Sequence, residues 1–424
     1  MKSGRRNFLR GLGAGVIGAL AGVPARAAVE LTLPRFDGAS PEDDWGAVRA
    51  QYLLLPEPAY LNTGGLGPAP LTVLDTVEAV SRRLQEHCET GREEFEPARV
   101  EVARFTGALP EETCFVRNAT EGNSIIAAGL ALSEGDEVIF ETHAHPGGSF
   151  PWLNEAKRRG VIVRMFDPDA SSADANLARI RELVTPRTRV IQVSHVTCTT
   201  GLVFPVAAIA ELARSRGIWF HVDGAQAAGM IPLDLHAFGC DSYAFSGHKW
   251  LGGPHETGVL HIRRERLEEV ACTGAGAHTG DLARLPGEIQ FANAASRHEY
   301  GTRSAALVAG LAEAVRWQTR VGRERIAARG RELADRIIDG LKGVAGIEVL
   351  TPRVAGMCAS IATFRHARAG AHAMFGYLMK EHGLRCRPVT EQGLEAVRVS
   401  THIFNSPTEC DRVIAAVRAA SHAF

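Results

Sequence analysis

Short apolar runs alternate with helical patterns along most of the chain. Residues 137–141, 161–166, 189–193, 218–222, 242–245 and 258–262 read as strands, several of them apolar almost throughout, as strands buried on both faces are. Helical periodicity covers residues 71–88, 124–132 (after the short strand-like 114–116), 176–183 and the proline-started 205–216. From 304 to about 342 the pattern is helical with a long Arg- and Glu-rich face. Short strands at 347–350, 359–364 and 396–400 then alternate with helices at 371–382 and 407–422. Strands alternating with helices predict an α/β fold: a large domain over 51–303 with a mostly parallel sheet between helices, and a smaller α/β domain over 304–424.

The strand ends carry the chemistry. The run 218–222 is broken at once by Asp223 and Gly224, and the loop after 242–245 delivers Ser246, His248 and Lys249 between glycines. In an open parallel sheet the carboxyl ends of strands line one crevice, so Asp223 and Lys249 can face each other across it. A lysine among Trp250, Leu251 and small residues is suited to Schiff-base formation, because desolvation disfavours its ammonium form. A carboxylate at the next strand end suits a pyridinium nitrogen, and the pair points to pyridoxal phosphate. Asn118-Ala119-Thr120-Glu121-Gly122-Asn123 precedes a helix, where free N–H groups and a Thr hydroxyl make an anion site. On the residues alone, Lys249 also reads as a loop lysine and 118–123 as a plain helix cap.

Further along, Arg398 interrupts the apolar strand 396–400. A buried guanidinium is costly without an anion and its fork matches a carboxylate, so it calls for an anionic partner, an internal salt bridge being the plain reading. His143 and His145 are spaced as two metal ligands can be, but no third ligand follows at a useful spacing, and no metal is expected.

With 424 residues and 45% hydrophobic content the chain is long enough for two cores. The first 27 residues hold five basic side chains and no acid, so 42 of the 47 basic residues remain against 48 acids, a net of −6 that does not invite nucleic acid. Residues 1–28 combine Arg5 and Arg6, a mild apolar stretch over 11–23 and the small-residue site Ala25-Arg26-Ala27. That stretch is too short and glycine-rich to span a bilayer. SGRRNFLRG matches a twin-arginine export signal, which carries folded proteins; periplasmic or secreted location is expected, with residues 29–50 as a linker. The eight cysteines show no CxxC pair and read mostly as core thiols.

DGAQAAG followed by SGHKWLGGP resembles the class V aminotransferases of fold type I, a family that includes cysteine desulfurases and isopenicillin N epimerase-like proteins. The resemblance runs from about Tyr60 to Ser421 and implies a pyridoxal 5'-phosphate enzyme acting on a small amino-acid substrate. It implies Lys249 as the cofactor lysine, Asp223 as partner of the pyridine nitrogen, Gln226 at the ring oxygen, and Ser246 and His248 at the phosphate. Ala119, Thr120 and Glu121 match the phosphate loop. His145 matches the ring-stacking position better than His143, and His195 and Thr197 are candidates at the next strand end. Asn62 lies in a segment that touches substrate in relatives, and Arg398 of RxSxHxxN would bind the α-carboxylate. Thr302 matches a loop that reaches the partner's phosphate, implying a homodimer.

One departure from the family matters. Cys386 stands where an apolar strand residue is expected rather than in a nucleophile's loop, which favours the epimerase-like branch over persulfide chemistry. Transamination, epimerisation, elimination and decarboxylation all stay open, as does tailoring of a secreted siderophore-type metabolite. A cofactor-free binding protein is discouraged by the joint presence of Thr120, Asp223, Lys249 and Arg398. A nicotinamide dehydrogenase is discouraged by the lack of an early GxGxxG.

Overall fold

The computed structural model describes Pro34, Phe36 and residues 41–281 and 287–424; the export-signal segment lies outside the described residues. A seven-stranded sheet organises the first part of the fold. In chain order its strands are β1 (Thr113–Val116), β2 (Glu137–Glu141), β3 (Ile162–Phe166), β4 (Thr188–Ser194), β5 (Trp219–Asp223), β6 (Ser242–Ser246) and β7 (Gly258–Ile262). Across the sheet the order is β1-β7-β6-β5-β4-β2-β3, and only β7 runs against its neighbours. The mostly parallel α/β architecture anticipated from the pattern is therefore present. Every strand but β3 and β4 is buried along its whole length, and β3, at the edge, exposes Ile162 and Met165.

Register brings the functional ends level. Ser194 pairs with Asp223 and Asp223 with Ala244, so the last residues of β4 and β5 and the end of β6 open onto one edge. Core residues on one face include Ile191, Phe220 and Tyr243; on the other they include Val138, Trp152 and Leu260.

Helices cover both faces. They are α1 (Pro41–Arg49), α2 (Leu71–His87), α3 (Phe95–Thr106), α4 (Ala119–Gly129), α5 (Pro146–Arg159), α6 (Ala173–Leu183) and α7 (Val206–Ser215). The long pattern after 304 is two helices, α8 (Ala305–Val321) and α9 (Arg323–Leu341), broken at Gly322 with φ of +99°. A four-stranded antiparallel sheet follows, from β8 (Ile347–Val349), β9 (Ile361–His366), β10 (Arg387–Val389) and β11 (Ala396–Ser400), in the order β8-β9-β11-β10. Helices α10 (Ala371–His382) and α11 (Pro407–Ala423) pack with it around Leu378, Val399 and Val413.

Several local outcomes differ from the sequence pattern. Residues 41–49, expected within a linker, form α1, whose Trp45 and Val48 pack with Trp317 and Phe404. Arg329 clamps this helix with a bidentate pair to Glu42 at 2.6 and 2.8 Å. Helix α8, placed by pattern in the smaller domain, packs on α2 and α3 and adds Val308 and Leu311 to the core of the large sheet. Helix α5 has no clear sequence signal, since Gly147, Gly148 and Pro151 depress its propensity. Full burial of Trp152 holds it in place. Strand β10 contains Pro388, which only an edge position tolerates.

Candidate active site

Helix α4 begins at Ala119, earlier than the apolar periodicity suggests. Asn118 caps it, its Oδ1 accepting from Glu121 N at 3.0 Å. The first turn therefore abuts the end of β6: Ala119 N donates to Ser246 Oγ at 3.0 Å. Thr120 is packed by α5, since a Cβ on Gly147 would come within 2.4 Å of Thr120 Oγ1. His248 sits beside them, with Nδ1 buried and unpartnered. Together these groups bound one end of a cavity of about 260 Å³.

Asp223 and Lys249 line the same cavity. Asp223 Oδ1 accepts from Ala225 N at 3.0 Å, and Oδ2 accepts from Asn123 Nδ2 at 3.1 Å. Behind it, His221 Nε2 and Asn123 Oδ1 are 2.8 Å apart, and His221 Nδ1 and Ser242 Oγ are 2.8 Å apart. Because Asn123 gives its amide to Asp223, its Oδ1 accepts from His221 Nε2, and His221 Nδ1 accepts from the Ser242 hydroxyl. A Cβ on Gly148 would approach Asp223 Oδ2 to 2.7 Å, so this glycine admits α5 to the site. Burial pushes the Lys249 ammonium below its usual range; Asp223 opposes the shift and Arg398 and Arg387 add to it.

At the opposite wall, Arg398 Nη1 donates to Cys198 O at 2.8 Å and Nη2 to Asn62 Oδ1 at 2.7 Å; Nε is buried without a partner. Burial, reinforced by Arg387, pushes this guanidinium down to about 10. Among the described residues no carboxylate forms an ion pair with it, so the internal salt-bridge alternative is not realised. Gln226 lines the cavity with Nε2 donating to Gly64 O at 2.9 Å and Oε1 accepting from Trp250 Nε1 at 2.8 Å. His145 caps α5, its Nδ1 accepting from Gly147 N at 3.0 Å, and its ring faces the cavity.

Other anticipated residues lie elsewhere. His195 turns into the layer below, 2.8 Å from Tyr243 OH and edge-on to Phe238, and Thr197 bonds Thr200 and Leu202 N within its own turn. Neither lines the cavity. Glu121 directs its carboxylate to Arg117 and Arg303, and its N–H is already used by the cap. His143 bonds Thr199 Oγ1 at 3.0 Å, so of His143 and His145 it is His145 that lines the cavity. Thr302 is exposed and outside the cavity of its own chain.

Sequence reasoning missed Asn123, His221, Cys198 and Arg387. Two of these had a signal: His221 is two residues before Asp223 on one strand and shares its face, and Asn123 follows Thr120 by three on a helix.

Buried histidines give the fold an acid limit. Burial lowers His195 and His402 to about 4 and His221 to about 3, so between pH 6.5 and 4 the unfolded chain binds protons that the fold refuses. Stability should fall by on the order of several kcal/mol over that window. Burial raises Glu141 to about 7 and acts with the opposite sign, its stabilisation being lost as pH rises from 4.5 to 7, which offsets part of the histidine effect. Thermal unfolding followed at pH 7, 5.5 and 4.5 checks this; an unchanged midpoint would contradict neutral burial.

The residues fit pyridoxal phosphate: a helix N-terminus with hydroxyls at one end, a buried carboxylate, a desolvated lysine, and glycines at which a Cβ would intrude. The family model described as "Aminotransferase class-V" matches residues 73–413. The chain is 31% identical over 396 residues to an isopenicillin N epimerase of Amycolatopsis lactamdurans, covering 88% of this chain and 98% of the relative. A probable cysteine desulfurase of Mycobacterium leprae is 29% identical over 407 residues, covering 88% and 96%. Among solved structures, the Escherichia coli cysteine desulfurase CsdA superposes with a TM-score of 0.78 at 26% identity, over 90% of this chain and 99% of that one. The C-DES protein with glycine covalently linked to its PLP cofactor gives 0.80 at 26%, over 87% and 98%. The chain thus belongs to the class V aminotransferase family, and it is a pyridoxal-phosphate-dependent enzyme of fold type I.

Proposed function

We propose that this enzyme removes the Cα proton of an amino acid, or of a metabolite bearing an amino-acid group, and belongs with the isopenicillin N epimerase-like branch. The observation that carries this reading is the convergence of Lys249, Asp223 and Arg398 on one cavity. Bound there, the cofactor would supply the electron sink that makes the Cα–H of the substrate acidic.

The protein does the rest. The first turn of α4 with Thr120, Ser246 and His248 would hold the phosphate, Asp223 would keep the ring nitrogen protonated, and His145 would cover the ring. Arg398, steadied by Asn62, grips the α-carboxylate. Lys249 Nζ, desolvated and therefore easily neutral, takes the proton. Cys386 supports the epimerase-like branch. It is buried in the core of the antiparallel sheet, where desolvation pushes its thiol up to about 12, the opposite of an activated nucleophile.

Two extensions rest on the sequence. The twin-arginine segment supports export to the periplasm or medium, where a secreted amino-acid-bearing metabolite of siderophore type is a fitting substrate. The exposed Thr302 supports a homodimer in which each copy completes its partner's phosphate site.

Incubation of the cofactor-loaded protein with an amino-acid panel in deuterated water, followed by NMR, tests the reading. Deuterium at Cα is expected. Amine retained with inverted configuration marks epimerisation, and a keto acid marks transamination. A substrate consumed with Cα–H intact would overturn it.

A further inference from the structure

Arg387 and Arg398 stand directly opposite each other on β10 and β11. Residues so paired share a face with Cβ atoms about 5 Å apart, and like charges there repel. Both arginines line the cavity that holds Lys249.

The fold relieves this repulsion only in part, through the ion pair of Arg387 with Glu391. The partners of Arg398 are the neutral oxygens of Cys198 and Asn62. Arg387 donates to Glu391 through Nη2 alone and leaves Nη1 buried with no partner. Buried donors are ordinarily satisfied, and an unsatisfied one on a charged group is costly. One guanidinium suffices for an α-carboxylate, so the second, aimed at the same space, needs another anion.

We infer that the substrate carries a second acidic group and that Arg387 reads it: an amino acid with a carboxylate or equivalent oxyanion on its side chain, roughly one cross-strand spacing (about 5 Å) from the α-carboxylate. This rests on the proposed Cα chemistry and names its substrate class. In this arrangement Glu391 holds Arg387 in place from one side while its free Nη1 meets the ligand. A neutral side-chain amide of the same size leaves that donor half-satisfied and is bound less well.

The test is binding to the cofactor-loaded protein, read by calorimetry and by the absorbance of the bound cofactor. The probes are L-aspartate, L-glutamate, L-asparagine, L-glutamine and L-alanine. The better acid should bind at least ~10-fold more tightly than its amide. Arg387→Gln should bring that ratio to about 1, and Arg387→Lys should keep part of the preference, as a point charge without the fork. Equal affinity for acid and amide in the unaltered protein overturns the inference, as does an Arg387→Gln variant that weakens both alike, which marks a structural role. A response to alanine with none to the acids sinks the substrate class alone; no response to any amino acid sinks the proposed function with it.

Discussion

Lys249→Ala is expected to abolish borohydride trapping of the cofactor and to slow Cα proton exchange by on the order of 10³-fold or more. Two losses combine. The variant has no amine to join the cofactor's aldehyde, and it has no base at the position where the Cα proton must leave. A positioned general base alone contributes about 10² to 10⁴. The fold should survive, because burial already disfavours the ammonium that is removed. Circular dichroism verifies folding, visible absorbance with and without borohydride reads the covalent link, and deuterium exchange reads the base. A trapped adduct that persists in the folded variant would show that another lysine carries the cofactor.

How far the sequence led to this site depended on the kind of signal each residue leaves. Asp223, Ser246 and Lys249 were legible because strand ends are marked by a change from apolar to punctuating residues, and the crevice follows from parallel topology. Arg398 was legible because a charge in an apolar strand is conspicuous. His195 sits at a strand end of the same kind, yet its ring turns into the core toward Tyr243. Strand-end position fixes where the backbone lies; the side chain's direction depends on cross-strand neighbours that single-sequence patterns do not encode.

Packing explains the other surprises. Helix α1 looks polar along most of its length, and contacts with α8, α9 and the segment around Phe404 make Trp45 and Val48 core residues. Arg387 lies on a proline-containing edge strand with no alternation, so nothing local pairs it with Arg398 eleven positions later. That pairing exists only through sheet register.

Asp223→Asn is the second substitution expected to be severe, lowering the rate of Cα exchange by about 10² to 10³, the range found when a preorganised electrostatic partner is removed. A carboxylate here accepts from Ala225 N on one oxygen and from Asn123 Nδ2 on the other. An asparagine can keep one of those bonds, but its own amide then faces the amide of Asn123, donor against donor. Turning Asn123 over to relieve this places its Nδ2 against the Nε2–H of His221, whose other nitrogen is already engaged by Ser242. His221 cannot answer by becoming charged, since burial pushes it down to about 3. Resolving the mismatch takes a tautomer change at His221, with Ser242 Oγ turning from donor to acceptor, and the ring nitrogen loses its anion as well. Asn123→Ala separates the two effects: it keeps the charge of Asp223 and removes one orienting bond, so a loss of ~10-fold or less is expected. Steady-state rates for both variants, with cofactor affinity measured in parallel, decide the matter. Asp223→Asn within threefold of the unaltered enzyme would mean that the buried carboxylate is there for structure alone.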